Sequence, residues 1–521
     1  VGVPTPASLN LSDLNGSSGF RLDGVAASDY SGDSVSSAGD VNGDGYDDLI
    51  IGVSSADNNG DTSGSSYVVF GTGSAFAATV NLSTLDGTNG FRLDGEAAGD
   101  HSGRSVSSAG DVNGDGYDDL IVGSSADPNG NYSGSSYVVF GGAADMGASV
   151  NLSSLDGTTG FRLDGEAAGD RSGYSVSSAG DVNGDGYDDL IIGANGTDNN
   201  GTDSGSSYVV FGTGANMGAS VNLSSLDGTT GFRLDGETDL DTVSSAGDIN
   251  GDGYDDLIIG TPYTDINGDS SGSSYVVFGS ASAFASTVNL SDLNGTTGFR
   301  LDGEAAGDQS SWSVSSAGDI NGDGYDDLII GAWYADNQSG SSYVVFGTDN
   351  AFAPTVNLST LDGTTGFRLD GEAAGDYSGF SVSSAGDVNG DGYNDLIIGT
   401  PYANNNGTYS GSSYVVFGSG NAFAPTVNLS TLDGTNGFRL DGVATDDKSG
   451  FSVSSAGDIN GDGYDDLIIG ANGTDNNGTD SGSSYVVYGG AKWGASAQAG
   501  TVGDDTVTGT AGADSLIGGE G

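Results

Sequence analysis

The stretch DVNGDGYDDLIIG, residues 40–52, places four aspartates within nine residues and follows them with an unbroken apolar run. Nearly the same words recur six more times. The copies begin at Asp40, Asp111, Asp181, Asp248, Asp319, Asp387 and Asp458, at steps of 71, 70, 67, 71, 68 and 71 residues. Most copies keep the same companions: SVSSAGD before the acidic loop, SGSSYVVFG after it, then VNLSSLDGTTG and GFRLDGEAAGD. A period of this length means that one supersecondary unit has been copied, so the rest of the sequence is read through it.

Each unit contains four strand-like runs. In the second copy they are RSVSSAG (104–110), DDLIVG (118–123), SSYVVFG (135–141) and GFRLDGE (160–166). The second and third are continuously apolar, as strands buried on both faces are. Gly supplies 96 of 521 residues, at fixed offsets beside β-branched and aromatic runs. That pattern reads as turns between strands. No helical periodicity is sustained, and NLSSLDG fits at most one helical turn. Four antiparallel strands covered on both faces and repeated radially describe the blade of a β-propeller. A solenoid is the competing arrangement, but it wants polar capping repeats at its ends, and the terminal copies are as regular as the middle ones. GFRLDG occurs seven times, at Phe20, Phe91, Phe161, Phe232, Phe299, Phe367 and Phe438. The first lies ahead of any acidic loop, and the last SSYVVYG (483–489) has none after it. The predicted fold is therefore all-β: a seven-bladed propeller of four-stranded antiparallel blades over residues 1–490, closed by the N-terminal strand joining the last blade. Such closure removes exposed sheet edges. Residues 491–521 read as a linker and a separate tail.

Composition narrows the function. There is no cysteine, so disulfides do not hold the loops. A formal net charge of −61 repels DNA, RNA and anionic membranes, so no nucleic-acid partner is expected. No apolar stretch approaches the roughly 18 residues of a membrane span, so no membrane insertion is expected. The one histidine, His101, sits in a variable loop and is expected in solvent. A His-activated nucleophile has little to build on, and there is no P-loop, dinucleotide fingerprint or HExxH motif. The acids are repeated sevenfold, whereas an enzyme breaks its symmetry at one site. No catalytic residue is assigned, and the chain reads as non-enzymatic. Seven of the eleven basic residues are the Arg of GFRLDG: Arg21, Arg92, Arg162, Arg233, Arg300, Arg368 and Arg439. They read as structural, each pairing with a carboxylate of its own or the next blade.

The acidic loop spaces oxygen-bearing side chains regularly. In the first copy these are Asp40, Asn42, Asp44 and Asp48, at the first, third, fifth and ninth positions, with Gly45 after the third. Tyr46, at the seventh, can offer its backbone carbonyl. Alternating oxygen donors in a tight turn can converge on one hard cation, and Gly supplies the bend. An oxygen-only set argues against zinc or copper. The start matches an EF-hand loop, but the twelfth-position Glu is absent, so the ninth-position Asp would close the shell. The alternative is an acidic turn held by Asx hydrogen bonds without metal. By the same count the candidate Ca2+ ligands of the other loops are Asp111, Asn113, Asp115, Tyr117 and Asp119; Asp181, Asn183, Asp185, Tyr187 and Asp189; Asp248, Asn250, Asp252, Tyr254 and Asp256; Asp319, Asn321, Asp323, Tyr325 and Asp327; Asp387, Asn389, Asp391, Tyr393 and Asp395; and Asp458, Asn460, Asp462, Tyr464 and Asp466. The eighth position, Asp47 in the first copy and Asn394 in the sixth, is expected to point elsewhere, into solvent.

SVSSAGDVNGDGYDDLIIG followed by SGSSYVVFG resembles the FG-GAP repeat of integrin α-chain propellers and related bacterial proteins, over residues 20–489. The resemblance implies seven blades with calcium in the hairpin between the first two strands of a blade, on the positions just named. Two departures matter. The Phe-Gly pair mostly reads Ser-Gly here, and all seven loops keep the ligand pattern where integrin propellers usually fill only some. Nothing resembles the other integrin domains. The tail GTVGDDTVTGTAGADSLIGGEG (500–521) resembles the repeats-in-toxin segment, with nine-residue units starting at Gly500, Gly509 and Gly518. That family binds calcium between turns of a β-roll and implies type I secretion. With no initiating Met and no N-terminal signal, the chain reads as a mature piece of a longer bacterial protein, extracellular or at the cell surface.

The copies disagree in one place. Strand parity puts the second-to-third loops and the blade-to-blade loops on the face opposite the acidic loops. There the copies read SSADPNGNY, TPYTDINGDS, AWYADNQ and TPYANNNGTY. Tyr263, Trp333, Tyr334, Tyr402 and Tyr409 gather in copies four to six, with Trp312 nearby, beside a shortened loop, GETDLDTVSS. Aromatics on rigid loops suit sugar stacking or a protein contact; the other reading is that they cap the blade packing. The expected function is a calcium-stabilised binding or adhesion module with a glycan or protein ligand on this face. Alternatives are a subunit that self-associates into an extracellular layer or filament, and a non-catalytic propeller attached to an enzyme domain outside this chain.

Overall fold

The computed structural model describes residues 7–491 except 144–145, 203, 239 and 241, together with Trp493 and the paired strands Gln498–Ala499 and Leu516–Ile517. The tail reading based on Gly500, Gly509 and Gly518 lies outside the described residues. Seven sheets form a ring, a seven-bladed β-propeller. Blades are numbered here by their acidic loops, from blade 1 (Asp40) to blade 7 (Asp458).

Blade 1 shows the plan. Its inner strand, Ser34–Gly39, pairs antiparallel with Asp48–Val53, then Ser65–Val69, then the outer strand Gly90–Asp94. The second and third strands are buried throughout, as their apolar runs require. The inner strand buries only Val35 and Ala38, and its serines face the axis and neighbouring blades. Ser34 Oγ, for example, accepts the backbone N–H of Val106 in blade 2 at 3.1 Å. Blade contact is close enough that a Cβ on Gly52 would collide with the Gly103 carbonyl, which explains a glycine inside a buried strand.

Each blade has a fifth strand that the four-strand reading lacked. On blade 1 it is Ser149–Asn151, parallel to the outer strand and supplied by the connector of blade 2. The outer strand would otherwise present an unpaired edge. The chain then makes one 3-10 turn, Leu152–Ser154, begun by Asn151, whose Oδ1 accepts the Ser153 N–H at 2.9 Å. This is the single turn expected from NLSSLDG.

Side chains repeat this overlap. Phe20, Phe232, Phe299 and Phe367 stack at 4.2–4.4 Å on Phe76, Phe284, Phe352 and Phe423 from the connector of the following blade. Phe438 stacks at 4.1 Å on Trp493, so the ring's packing runs past residue 490. Each blade arginine bonds the aspartate two residues on, as Arg21 Nε does to Asp23 at 2.6 Å. Four also reach a glutamate, on the preceding blade rather than the next. Arg162 meets Glu96 at 3.1 Å, where the Tyr137 hydroxyl also donates at 2.9 Å.

The ring closes through the N-terminus, as expected, but with two strands. Gly19–Asp23 pairs antiparallel with Ser483–Val487 as the outer strand of blade 7. Ser8–Asn10 pairs parallel with Gly437–Asp441 as the fifth strand of blade 6. Deleting residues 1–24 should therefore bare two sheet edges, lowering Tm and producing concentration-dependent aggregation by light scattering. A truncated protein that stays monomeric with unchanged Tm would contradict this closure.

Candidate metal loops and the opposite face

Each loop starts where the inner strand ends and finishes where the second begins, so pairing of Gly39 with Asp48 brings its two ends together. Asp40 turns into the loop. Its Oδ1 accepts the N–H groups of Gly43 and Asp44 at 2.8 and 3.0 Å, and its Oδ2 accepts that of Gly45 at 2.9 Å. Asp44 Oδ1 accepts the Tyr46 N–H at 3.1 Å. Asp48 turns the other way and is fully buried. Its Oδ2 accepts the Val41 N–H at 3.1 Å and its Oδ1 the Gly71 N–H at 2.8 Å. The connector glycine makes this second bond in all seven blades, at 2.8–2.9 Å. Asn460 adds its side-chain amide to Asp466 at 3.0 Å.

The buried acid is electrostatically unbalanced. Burial pushes the Asp48 carboxyl up to about 8, and the charges of Asp44 and Asp40 push the same way against the two backbone donors. Asp119, Asp189, Asp256, Asp327 and Asp466 are raised alike, and Asp395 is raised well above the carboxylate range. The ion pairs among the described residues all belong to blade arginines, and none reaches a loop carboxylate. An oxygen-only donor set around a buried, uncompensated carboxylate suits a hard divalent cation. The Asx contacts of Asp40 are also those of a metal-free acidic turn. Among the described residues no three Asp, Glu, His or Cys side chains close around a common point. Acids alone do not complete a cage, so a cation here would also need the Asn42 side-chain oxygen and the Tyr46 carbonyl.

The eighth position does not point into solvent. Successive residues alternate faces along a strand, so as Asp48 enters its own blade, Asp47 turns toward blade 7. Its Oδ2 accepts the backbone N–H of Asp458 at 2.8 Å. Asp118, Asp188, Asp255, Asp326 and Asp465 do the same for Asp40, Asp111, Asp181, Asp248 and Asp387 at 2.7–3.0 Å. Asn394 lies against Gly318 in the corresponding place. The seventh position joins in: the Tyr117 ring lies over Gly43, where a Cβ would collide with it. The seven loops thus form one continuous belt.

The opposite face is uneven. Trp312, Trp333 and Tyr334 of blade 5 run into Tyr377, Phe380, Tyr402 and Tyr409 of blade 6 and Phe451 of blade 7. Neighbouring centroids are 4.3–5.4 Å apart along this band. Trp333 is its hub, touching Trp312, Tyr334, Tyr377 and Phe380, with its Nε1–H donating to Gln309 at 3.0 Å. Tyr409, at the rim, is 42% exposed, and Tyr263 is 40% exposed on the blade 4 loop. The sequence reading missed Tyr377, Phe380 and Phe451. The signal was present: the residue before the inner-strand serine changes with the blade, as in SGDSV, SGRSV, SGYSV, SSWSV and SGFSV.

The FG-GAP repeat model matches residues 31–69, 102–139, 172–210, 242–277, 311–345, 378–416 and 449–487, together more than half of the chain. The chain belongs to the FG-GAP repeat family. It is 30% identical over 178 residues to integrin alpha-PS2 of Drosophila melanogaster, covering 34% of this chain and 12% of that protein. It is 33% identical over 175 residues to the phosphatidylinositol-glycan-specific phospholipase D of Bos taurus, covering 31% of this chain and 18% of that enzyme. The chain thus spans less than a fifth of the length of these relatives. The crystal structure of the V. cholerae biofilm matrix protein Bap1 aligns over 92% of this chain and 91% of its own, at 12% identity and a TM-score of 0.29.

The FG-GAP belt is testable at two glycines. Gly43 (φ 74°) lies under Tyr117, whereas Gly45 (φ 89°) faces open space. Gly45→Ala should cost about 1–2 kcal/mol from its left-handed backbone alone. Gly43→Ala should cost on the order of 2 kcal/mol more, because it also displaces a packed ring. Equal costs in urea denaturation would mean that the Tyr117 contact contributes nothing.

Proposed function

We propose that this FG-GAP ring is a calcium-stabilised, non-enzymatic binding and adhesion module that works outside the cell, with its ligand on the face opposite the acidic loops. The aromatic band carries the reading. A chain that otherwise repeats itself nearly word for word concentrates eight large rings on one arc of one face. Such planar side chains give contact area at low entropic cost. The integrin relatives support an adhesion role, and among the described residues no helix is long and apolar enough to cross a membrane.

Calcium is proposed for the loops because the ninth-position acids are buried with no counter-charge among the described residues. Bound calcium would supply that positive charge at up to seven sites. Asp40, Asn42, Asp44, Asp48 and the Tyr46 carbonyl would hold it in blade 1, and their equivalents elsewhere. Because the unfolded chain has no preformed site, binding adds to stability, by about 2.7 kcal/mol for each site held at a hundredfold excess over its Kd. Tm should fall on chelation, and Asp44→Ala should lose one ion of the total measured by metal analysis. An identical Tm in calcium and in chelator removes the calcium half of the proposal.

The ligand half is tested at the rim. Tyr334→Ala with Tyr409→Ala should weaken binding to a glycan-array or protein hit by about 2 kcal/mol, as loss of hot-spot aromatics does, with little change in Tm. Trp333→Ala should lower Tm as well, because Trp333 is the packing hub of the band. If the rim variants bind normally, the contact lies elsewhere; ordered arrays of the wild-type protein in the electron microscope would then favour self-assembly.

A further inference from the structure

We propose a second site on this face: the cleft between blades 2 and 3 binds the carboxylate of an acidic saccharide. The reading starts from the basic residues. Of eleven Lys and Arg, seven are the blade arginines, and all seven are ion-paired. Lys492 lies outside the described residues. The remaining three, Arg104, Arg171 and Lys448, all lie on the face opposite the acidic loops. Two of them, Arg104 and Arg171, line one cleft of about 360 Å3 with His101, Tyr132, Tyr174 and Ser125.

Neither Arg104 nor Arg171 enters an ion pair among the described residues, in a chain with 72 acids. The nearby acids are already engaged. Asp100 and Asp170 accept the backbone N–H groups of Ala97 and Ala167 at 2.8 and 2.7 Å. Asp33, toward blade 7, feels the charge of Arg104 but hydrogen-bonds elsewhere, accepting from the Asn472 amide at 2.7 Å. Arg104 is instead held over the Tyr174 ring, 4.1 Å from its centroid, and its guanidinium donates no hydrogen bond among the described residues.

The backbone is arranged to present these side chains. Arg171 sits at φ 54°, and its equivalents Tyr30, His101, Gln309, Tyr377 and Lys448 are also left-handed. Gly or Asn would be the relaxed choice there. Every blade but the shortened blade 4 instead places a long side chain on the same scaffold, five residue types over six blades. The Arg171 N–H is fixed to the Tyr132 carbonyl at 2.9 Å. A strained, fixed backbone carrying a blade-specific side chain is an arrangement found at ligand sites.

The ligand class follows from charge and shape. Guanidinium groups recognise planar carboxylates through paired hydrogen bonds. The net charge of −61 repels polyanions and dianions, which favours an isolated single charge. Tyr132, 64% exposed, offers a ring face to the apolar side of a sugar, while Tyr174 backs the Arg104 guanidinium. The cleft volume falls in the range of small-molecule sites. The site rests on the binding-face reading only for its face, and shares no residue with the aromatic band.

The test titrates the whole chain by calorimetry at low salt with a glucuronate-containing trisaccharide, its methyl ester and a Glu-rich hexapeptide. The trisaccharide should bind, and esterification should weaken it at least on the order of tenfold, the loss of a charge-assisted pair. Arg104→Gln and Arg171→Gln should each weaken it about as much, with unchanged melting curves. Arg171→Lys, which keeps the charge without the fork, should weaken it less. Tyr334→Ala with Tyr409→Ala should leave it unchanged, which separates this site from the band. Equal binding of acid and ester, wild-type binding by the Gln variants, or binding of the peptide alone would each overturn the proposal.

Discussion

One carboxylate per blade, buried and paired with no Lys or Arg among the described residues, is the constraint around which the molecule is arranged. Asp48 and its six equivalents each fix the start of the acidic loop, the head of the second strand and the connector glycine at a single buried point. A purely polar side chain could make those bonds without charge. An aspartate in all seven blades, with further acids close by, makes each site a place where positive charge lowers the energy. The proposed calcium is the direct answer. It also gives a physical reason for acidity that would otherwise weigh against a compact fold.

Around that point, neighbouring blades complete one another. The fifth strand, the stacked aromatic of the connector and the eighth-position aspartate all come from the following blade; the second carboxylate of an arginine comes from the preceding one. A residue that serves its own blade and a neighbour has two reasons to stay the same from copy to copy. On the opposite face the loops also bond to the neighbouring blade, but largely through backbone groups, which leaves their side chains free to differ. There the copies diverge, with aromatics on blades 5 to 7 and, at blades 2 and 3, arginines that enter no ion pair among the described residues.

Much of this was readable in the sequence because period and burial pattern are one-dimensional signals. The continuous runs of DDLIIG and SSYVVFG marked the central strands, and the displaced GFRLDG marked the closure. The fifth strand was not readable. Three residues such as Ser149–Asn151 carry little propensity, and their partner lies in another copy. Asp47 was misplaced for a related reason: strand alternation fixes that it leaves its own blade, but only the neighbour's position decides what it meets. Phe380 and Phe451 sit singly in separate copies, as do Arg104 and Arg171, and only the ring brings each set together. The tyrosine, tryptophan and arginine faces are therefore properties of the circle and not of any one repeat.

The two N-terminal strands give the ring a timetable. Residues 8–23 are made more than 400 residues ahead of Gly437–Asp441 and Ser483–Val487, the strands with which they close the ring. Until then Gly19–Asp23 can pair only with Thr79–Asn81 on its other edge, and the blades behind it stack as an open arc. The closing contacts are the most distant in the chain, and loop closure over such separations is slow even though its entropic cost grows only logarithmically. Closure is thus a latch: a segment made early locks segments made more than 400 residues later, and only then does the arc become a circle.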